Sequence, residues 1–285
     1  MNYKGWLLYS EKDTIDNANY INWFICEAKE QNIELELVTR ENITAGIMSN
    51  NRTILVNNNP VIMPDFVVMR TIDTMLSLHL EAMGIRVFNS SVVSHFCNNK
   101  ELTHHYVHNL KIPMVDTLFI HQEQLQTFNL MKYPFVAKVA TSRGGKEVYL
   151  IENHTDWNNC LRLLPTNPVI LQSCDVSFGK DLRVFVVGNE IVGSVLRENP
   201  NDFRANYKLG GSASWYTLNE EERDTVNKII NEFQFDMVGI DFLFSESGKL
   251  LFNEIEDVVG SRTLSAVSDI NILQKYITHI KSKLQ

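Results

Sequence analysis

Two apolar runs near the end of the chain carry acids where buried strands would place them: VGIDFLF at 238–244 and LLFNEIED at 250–257. Asp241 stands inside the first run. Glu254, Glu256 and Asp257 close the second, after a Ser-Gly-Lys turn at 247–249. Strands joined by so short a turn bring these carboxylates close together, and period two on a strand puts Glu254 and Glu256 on one face. Carboxylates gathered at the end of buried strands repel one another and lose hydration unless a cation sits among them. Hard oxygen ligands of this kind suit magnesium or manganese, and magnesium usually bridges to phosphate oxygens. A structural salt bridge for Asp241 and a turn role for Asp257 are the plainer alternatives.

Phosphate-binding groups stand upstream. Lys138 lies within the apolar segment FVAKVA, where a lone ammonium is costly unless paired. It either contacts a phosphate or snorkels from a strand edge. The loop TSRGGK (141–146) follows directly. Gly144 and Gly145 would let backbone N–H groups approach phosphate oxygens, with Arg143 and Lys146 adding charge. A plain hairpin turn has the same composition. Segment 196–216 concentrates Arg197, Arg204, Asn206 and Lys208 ahead of Gly210-Gly211. Arginine forks suit phosphate and carboxylate, although a solvated basic loop would look alike. Lys100, in CNNKELTHH, reads by itself as a surface lysine. A zinc site on His104, His105 and His108 would need a further ligand, and surface or partly buried structural histidines are the expectation. Arg70, ending PDFVVMR, is either a substrate-carboxylate contact or a strand-end surface arginine.

The elements that would hold these residues follow from periodicity. Strands are expected at 5–10, 33–39, 52–58, 64–70 and 85–90, with helices over 15–31 and 76–83. Strands alternating with helices argue for a mostly parallel sheet covered on both faces, in a first lobe of about residues 1–95. A helix over 91–109 carries Lys100 into a smaller lobe of hairpins and helices, about 96–175. The last lobe, 176–285, holds an antiparallel pair (181–199) turning at Gly188-Asn189, a polar loop, a helix over 218–233, the acidic strands and an amphipathic helix over 269–284.

With 285 residues the chain can bury two or three such cores. Its net charge of −8 and lack of a long basic run argue against a nucleic-acid partner. No run approaches the ~20 apolar residues of a membrane helix, and no signal-peptide core opens the chain, so a cytoplasmic protein without a membrane partner is expected. The four cysteines form no C-x-x-C pair and are expected to be reduced and structural. Neither G-x-G-x-x-G after the first strand nor G-x-S-x-G occurs, which argues against nicotinamide or flavin oxidoreductases and serine hydrolases.

From about Phe88 to Gly260 these segments resemble the ATP-grasp superfamily, and most closely its RimK-like amino-acid ligases. The segments that carry the likeness are FNSSVVSHFCNNKELTHHYVHNLKIPMVDT (88–117), YPFVAKVATSRGGKEV (133–148), DLRVFVVGNEIVGSVLREN with DFRANYKLGG (181–211), and the two acidic strands. The resemblance implies an α/β ATP-grasp fold: an N-terminal parallel-sheet domain, then two α+β lobes that clasp ATP. It implies an ATP-dependent carboxylate–amine ligase acting through an acyl-phosphate. Lys100 and Lys138 would contact the phosphates. Gln172, Ser173 and Cys174 would meet the adenine edge, largely through backbone groups, and Asp181 would lie near the ribose. Arg197 would contact the γ-phosphate or acyl-phosphate, with Arg204 and Asn206 near the acceptor. Asp241, Glu254 and Glu256 would hold magnesium. The chain departs from the family pattern at Glu256, where relatives carry asparagine, at Glu147, where they often carry glycine, and at Ser173, where they carry an acid. The expected partners are a small carboxylate and amine, as amino acid or peptide, with a homodimer as the default assembly. The rival expectations are an ATP-binding module without ligase activity and a ligase modifying a ribosomal or precursor peptide.

Overall fold

A computed structural model of the protein describes residues 3–125, 131–140, 147–164, 168–205 and 210–285. The first lobe runs β1 (Tyr3–Tyr9), α1 (Glu11–Asp16), α2 (Ala18–Glu30), β2 (Ile33–Thr39), β3 (Ile43–Met48), β4 (Asn51–Val56), β5 (Asn59–Pro60), β6 (Phe66–Met69), α3 (Thr74–Glu81) and β7 (Arg86–Phe88). Next come α4 (Ser91–Cys97) and α5 (Lys100–Asn109), then β8 (Thr117–Ile120), α6 (Gln122–Leu125), β9 (Phe135–Val139), β10 (Val148–Ile151), α7 (His154–Leu163) and β11 (Val169–Ser173). The chain continues through β12 (Lys180–Val187), β13 (Glu190–Glu198), β14 (Ser212–Trp215), α8 (Glu220–Glu232), β15 (Met237–Phe244), β16 (Leu250–Glu256), α9 (Arg262–Val267) and α10 (Ile272–Leu284).

The first lobe holds a parallel sheet in the order β2-β1-β6-β7. Its middle strands are apolar runs because helices cover both faces: every residue of β6 is buried. The expected strand at 52–58 forms, but not in this sheet. It pairs antiparallel with β3 and β5 in a separate three-stranded sheet. The central sheet, order β10-β9-β11-β8, and the C-terminal sheet, order β14-β13-β12-β15-β16, are antiparallel. The hairpin from β12 to β13 turns at Gly188, whose φ of 57° is left-handed and suits glycine.

Helix α2 presents Ile21, Phe24 and Ala28 inward at helical spacing, and α10 presents Leu273, Tyr276, Ile277 and Ile280. The two helices meet in one core with Leu7, Phe66 and Phe88 of the first lobe and Phe185, Val187 and Met237 of the C-terminal sheet. The opposite face of that sheet, with Leu182, Val184, Ile240 and Phe252, packs under α8, α4 and α5. The central lobe has its own core around Phe135, Ala137, Trp157 and Leu171. The helix expected over 15–31 is divided at Asn17, which ends α1 and begins α2, and the one expected over 91–109 is divided at Asn98-Asn99. Strand β14 lies within the stretch expected to be a polar loop. No helix among the described residues is long and apolar enough to cross a membrane.

Candidate active site

Strand register assembles the charged groups. Asp181 of β12 faces Arg197 of β13, Arg183 of β12 faces Asp241 of β15, and Asp241 faces Glu254 of β16. Glu256 faces Gly239 two pairs along. Alternation places all six side chains on one face of the sheet. Farther along β12 the same face turns apolar at Phe185 and Val187 and enters the core shared with the first lobe. One end of the face is thus packed and the other carries charge.

The pairing is bidentate. Arg183 donates from Nε to Asp241 Oδ1 at 2.7 Å and from Nη2 to Oδ2 at 2.6 Å. Arg197 does the same to Asp181 at 2.6 and 2.8 Å, and its Nη2 also reaches Asp241 Oδ2 at 3.0 Å. The remaining arm of Arg183 meets Glu256 Oε2 at 2.7 Å. Two lysines arrive from outside the sheet. Lys100, at the first turn of α5, lies 3.3 Å from Glu254 Oε2. Lys138 of β9 crosses from the central lobe and donates to Asn253 Oδ1 at 3.2 Å. Four carboxylates therefore meet four cations: the balancing charge among the acids is largely the protein's own.

These groups set each other's protonation. Burial pushes the Asp241 carboxyl upward, but Arg183 and Arg197 outweigh it and hold it down to about 2. Burial also raises Glu254, and Lys100 with Lys138 brings it below the ordinary carboxylate value. Asp181 stays raised, since burial there exceeds the pull of Arg197. Lys138 is lowered to about 8 by burial, against the attraction of Glu254. His104 is lowered to about 4 by burial and by Lys138. It is neutral at physiological pH, with Nδ1–H donating to the Lys100 carbonyl at 2.6 Å and Nε2 accepting from the Gln172 amide at 3.3 Å. That pair links α5 to β11.

Of the residues expected from sequence, Lys100, Lys138, Asp181, Arg197, Asp241, Glu254 and Glu256 converge on this face. Gln172 is buried, its side-chain nitrogen donates to His104 and Thr117, and its backbone lies in a strand paired on both sides. Ser173 ends the same strand, and the Cys174 thiol is pushed up to about 11 by burial and by Asp175. Arg204 is held by Asp202 at 3.0 Å through Nε and 2.8 Å through Nη2. Arg143, Gly144, Gly145 and Asn206 lie outside the described residues. Arg183, which joins Asp241 to Glu256, is not among the residues expected from sequence. Its signal was there: a charged residue inside DLRVFVV, the same pattern that singled out Lys138. Arg70 is 5% exposed, not a surface arginine.

The acids suit a divalent cation in their chemistry and unequally in their state. Glu254 and Glu256 each meet a cation through Oε2, whereas both oxygens of Asp241 are taken by guanidinium groups. Among the described residues no three acids, histidines or cysteines converge as a preformed metal cage.

Comparison with known proteins agrees with this architecture. Residues 97–280 match the model of the RimK-like ATP-grasp domain. A glutamate–LysW ligase, ArgX, of Sulfurisphaera tokodaii is 28% identical over 230 residues, which cover 76% of this chain and 82% of that protein. N-acetylaspartylglutamate synthase A of Homo sapiens is 25% identical, over 85% of this chain and 66% of that protein. Among solved structures, the ATP-grasp ligase PsnB, complexed with a phosphomimetic variant of its minimal precursor, Mg and ADP, superposes with a TM-score of 0.73 at 14% identity, over 100% of both chains. A cleft of lysines facing interleaved arginines and acids, on this fold and with these relatives, places the chain in the RimK-like ATP-grasp family of ligases.

Proposed function

We propose that the chain joins a carboxylate to an amine of amino-acid or peptide type, using ATP and passing through an acyl-phosphate. The observation that carries this reading is the alternation of guanidinium and carboxylate groups on one sheet face, opposed by Lys138 from the other lobe. Phosphoryl transfer asks for positioning and charge neutralisation rather than a covalent catalyst. Lys100 and Lys138 take phosphate oxygens of the nucleotide. Arg197, oriented by Asp181, takes the transferred phosphoryl group. A carboxylate oxygen attacks the γ-phosphorus and ADP leaves. The amine nitrogen then attacks the acyl carbon, phosphate departs and the nitrogen gives up its proton. Water kept out of the cleft spares the acyl-phosphate from hydrolysis.

Glu254 and Glu256 would hold magnesium, with Asp241 joining once incoming phosphate draws a guanidinium away from it. The ion, when bound, neutralises triphosphate charge and polarises the γ-phosphoryl group. Each of these two glutamates pairs with one cation through its Oε2. Free cysteines throughout the described residues agree with a reducing, cytoplasmic setting.

The test is release of ADP and phosphate with ATP, magnesium and pooled amino acids and short peptides. Glu254→Gln keeps the shape of the side chain and removes its charge. Turnover should drop by roughly a thousandfold, with an unchanged circular-dichroism spectrum. Near-wild-type turnover in that variant rules out the metal assignment. ATP binding without consumption across the whole pool would favour a nucleotide switch instead.

A further inference from the structure

The first lobe holds a buried cation that the phosphate site does not use. Arg70 follows the last residue of β6, and among the described residues no acid pairs with it. Its Nε donates to the Tyr9 hydroxyl at 3.3 Å and its Nη2 to the Val259 carbonyl at 2.8 Å. The guanidinium carbon lies 6.0 Å from the Tyr9 ring centre and 5.6 Å from that of Tyr20. An arginine carries five N–H donors, and two are used here. The Tyr20 hydroxyl beside it is also buried, with Ser261 as its nearest polar neighbour. A strut between lobes would need the Val259 contact alone. It does not account for the donors that Arg70 leaves unused beside two tyrosines.

Topology says what such a cluster is for. In the order β2-β1-β6-β7 the neighbours of β1 lie on opposite sides, so the chain reverses direction of winding between β1 and β6. Open parallel sheets bind ligands in the crevice at that reversal, beyond the carboxyl ends of the strands. Tyr9 is the last residue of β1, and Arg70 stands just past the end of β6. Val259, from the C-terminal part of the chain, meets this end of the sheet through its carbonyl. Val259 leads back to the phosphate site: a Cβ on Gly239 would sit 2.7 Å from Val259 Cγ2 and 3.4 Å from Arg183 Cδ. One residue thus touches the Arg70 cluster through its carbonyl and packs its side chain over Gly239 of β15, the strand that also carries Asp241.

We infer that Arg70, Tyr9 and Tyr20 form an anion subsite for the non-reacting carboxylate of an amino-acid substrate. The reacting carboxylate must lie against Arg197 and the nucleotide, so a group held at Arg70 is a different one. Arg70 is then a specificity residue: it admits substrates with a second carboxylate at a fixed span and rejects the matching amides. This rests on the ligase reading above, and the experiment separates the two.

Binding is measured by calorimetry with a non-hydrolysable ATP analogue and magnesium present. The probes are a panel of L-amino acids, each beside its α-carboxamide. The wild type should prefer at least one acid over its amide by roughly ten- to a hundredfold, the worth of one charge-assisted contact. Arg70→Met should bring that ratio near unity while the affinity for the ATP analogue holds. Arg70→Lys should keep part of it. Tyr20→Phe, which removes only a hydroxyl, should lower it several-fold and serves if Arg70→Met fails to fold. No acid–amide preference in the wild type, or an undiminished one in Arg70→Lys and Tyr20→Phe, overturns the subsite. The ligase reading is judged by ADP release alone and falls only if no substrate supports it.

Discussion

Lys138 shows how a single residue trades stability for function. Burial lowers its pKa from 10.5 to about 8, despite the attraction of Glu254. The charged form is therefore disfavoured by folding, and the penalty is complete below pH ~8 and relieved as pH rises toward the unfolded value. At neutral pH a 2-to-3-unit depression corresponds to roughly 3 kcal/mol, from which the lost hydrogen bond to Asn253 takes back about 1. Lys138→Met should accordingly stabilise the nucleotide-free protein by roughly 1–2 kcal/mol in urea denaturation and abolish ATP binding. A variant that is destabilised, or that still binds ATP, refutes this account. Asp241 behaves in the opposite way. It is 2% exposed and anchors two guanidinium groups, so Asp241→Asn should cost about 3–5 kcal/mol by leaving buried charge unmatched. Its folded pKa of about 2 lies below the ordinary 3.8. The stabilisation it brings is thus whole above pH ~4 and drains as pH falls toward 2, a slope that the variant should lack. These acids and Lys138 were legible in the sequence because a charge inside an apolar run is costly and must be explained. What could not be read was their partner. The acids by themselves imply a metal among them, while strand register decides that Arg183 and Arg197 stand there as well.

Among the elements, the break at Asn98-Asn99 matters most, because it sets where Lys100 points. Periodicity reads one helix through this stretch, since apolar residues continue from Phe96 to Leu102 and Val107. The structure divides it through side-chain hydrogen bonds. Asn99 caps α5 by accepting from the Leu102 amide at 3.1 Å, and Asn98 donates to Ser94 and, across the lobes, to Asp257 Oδ2 at 3.0 Å. A contact 159 residues away leaves no trace in local pattern. Strand β14 escaped for a related reason: Ser-Ala-Ser-Trp alternates over only four residues, too short a run to mark a strand until β13 pairs with it. Asn99→Ala should cost about 1 kcal/mol as a lost cap and weaken ATP binding more than its loss of stability explains, because Lys100 is the next residue. Equal ATP affinity in a folded Asn99→Ala protein would show that the cap does not position Lys100. His104 fixes the other end of this link. With a folded pKa of about 4 against 6.5 unfolded, its neutral form is favoured by folding. Stability is complete above pH 6.5 and falls as protons bind the unfolded chain below it. Between about pH 7.5 and about pH 5 the loss from this residue should reach roughly 2 kcal/mol. His104→Asn should flatten that part of the curve, and an unchanged slope would mean that another group titrates there.

At the scale of the molecule, the cores do not follow the three-part division suggested by the sequence. The first lobe and the C-terminal sheet share one cluster, in which Phe24 and Phe66 meet Phe185, Tyr276 and Ile277. The central lobe keeps its apolar residues, from Phe135 and Ala137 to Trp157 and Val169, to itself. Helix α10 is what makes the difference: the last helix in sequence packs on α2, near the start. Amphipathic spacing announced the helix but not its partner. Mechanically, the molecule is one large body carrying a smaller one, joined across the cleft by Lys138–Asn253 and the Gln172–His104 link. Such a small, separately packed unit should open at lower free energy than the rest. Hydrogen exchange of the nucleotide-free protein should therefore find the amides of β9, β10 and β11 exchanging through their own opening, while β1, β6, β12 and β15 open together. The cleft cations make the coupling: an ATP analogue bound between the bodies favours only the closed state, and at roughly a hundredfold excess over its Kd it should add about 2.7 kcal/mol to the protection of the central strands. Lys138→Met should remove that gain while leaving the unliganded pattern in place. If the central strands instead exchange with the larger body before any nucleotide is added, the two cores fold as one, and Lys138 is a brace within a single unit instead of the arm of a clasp.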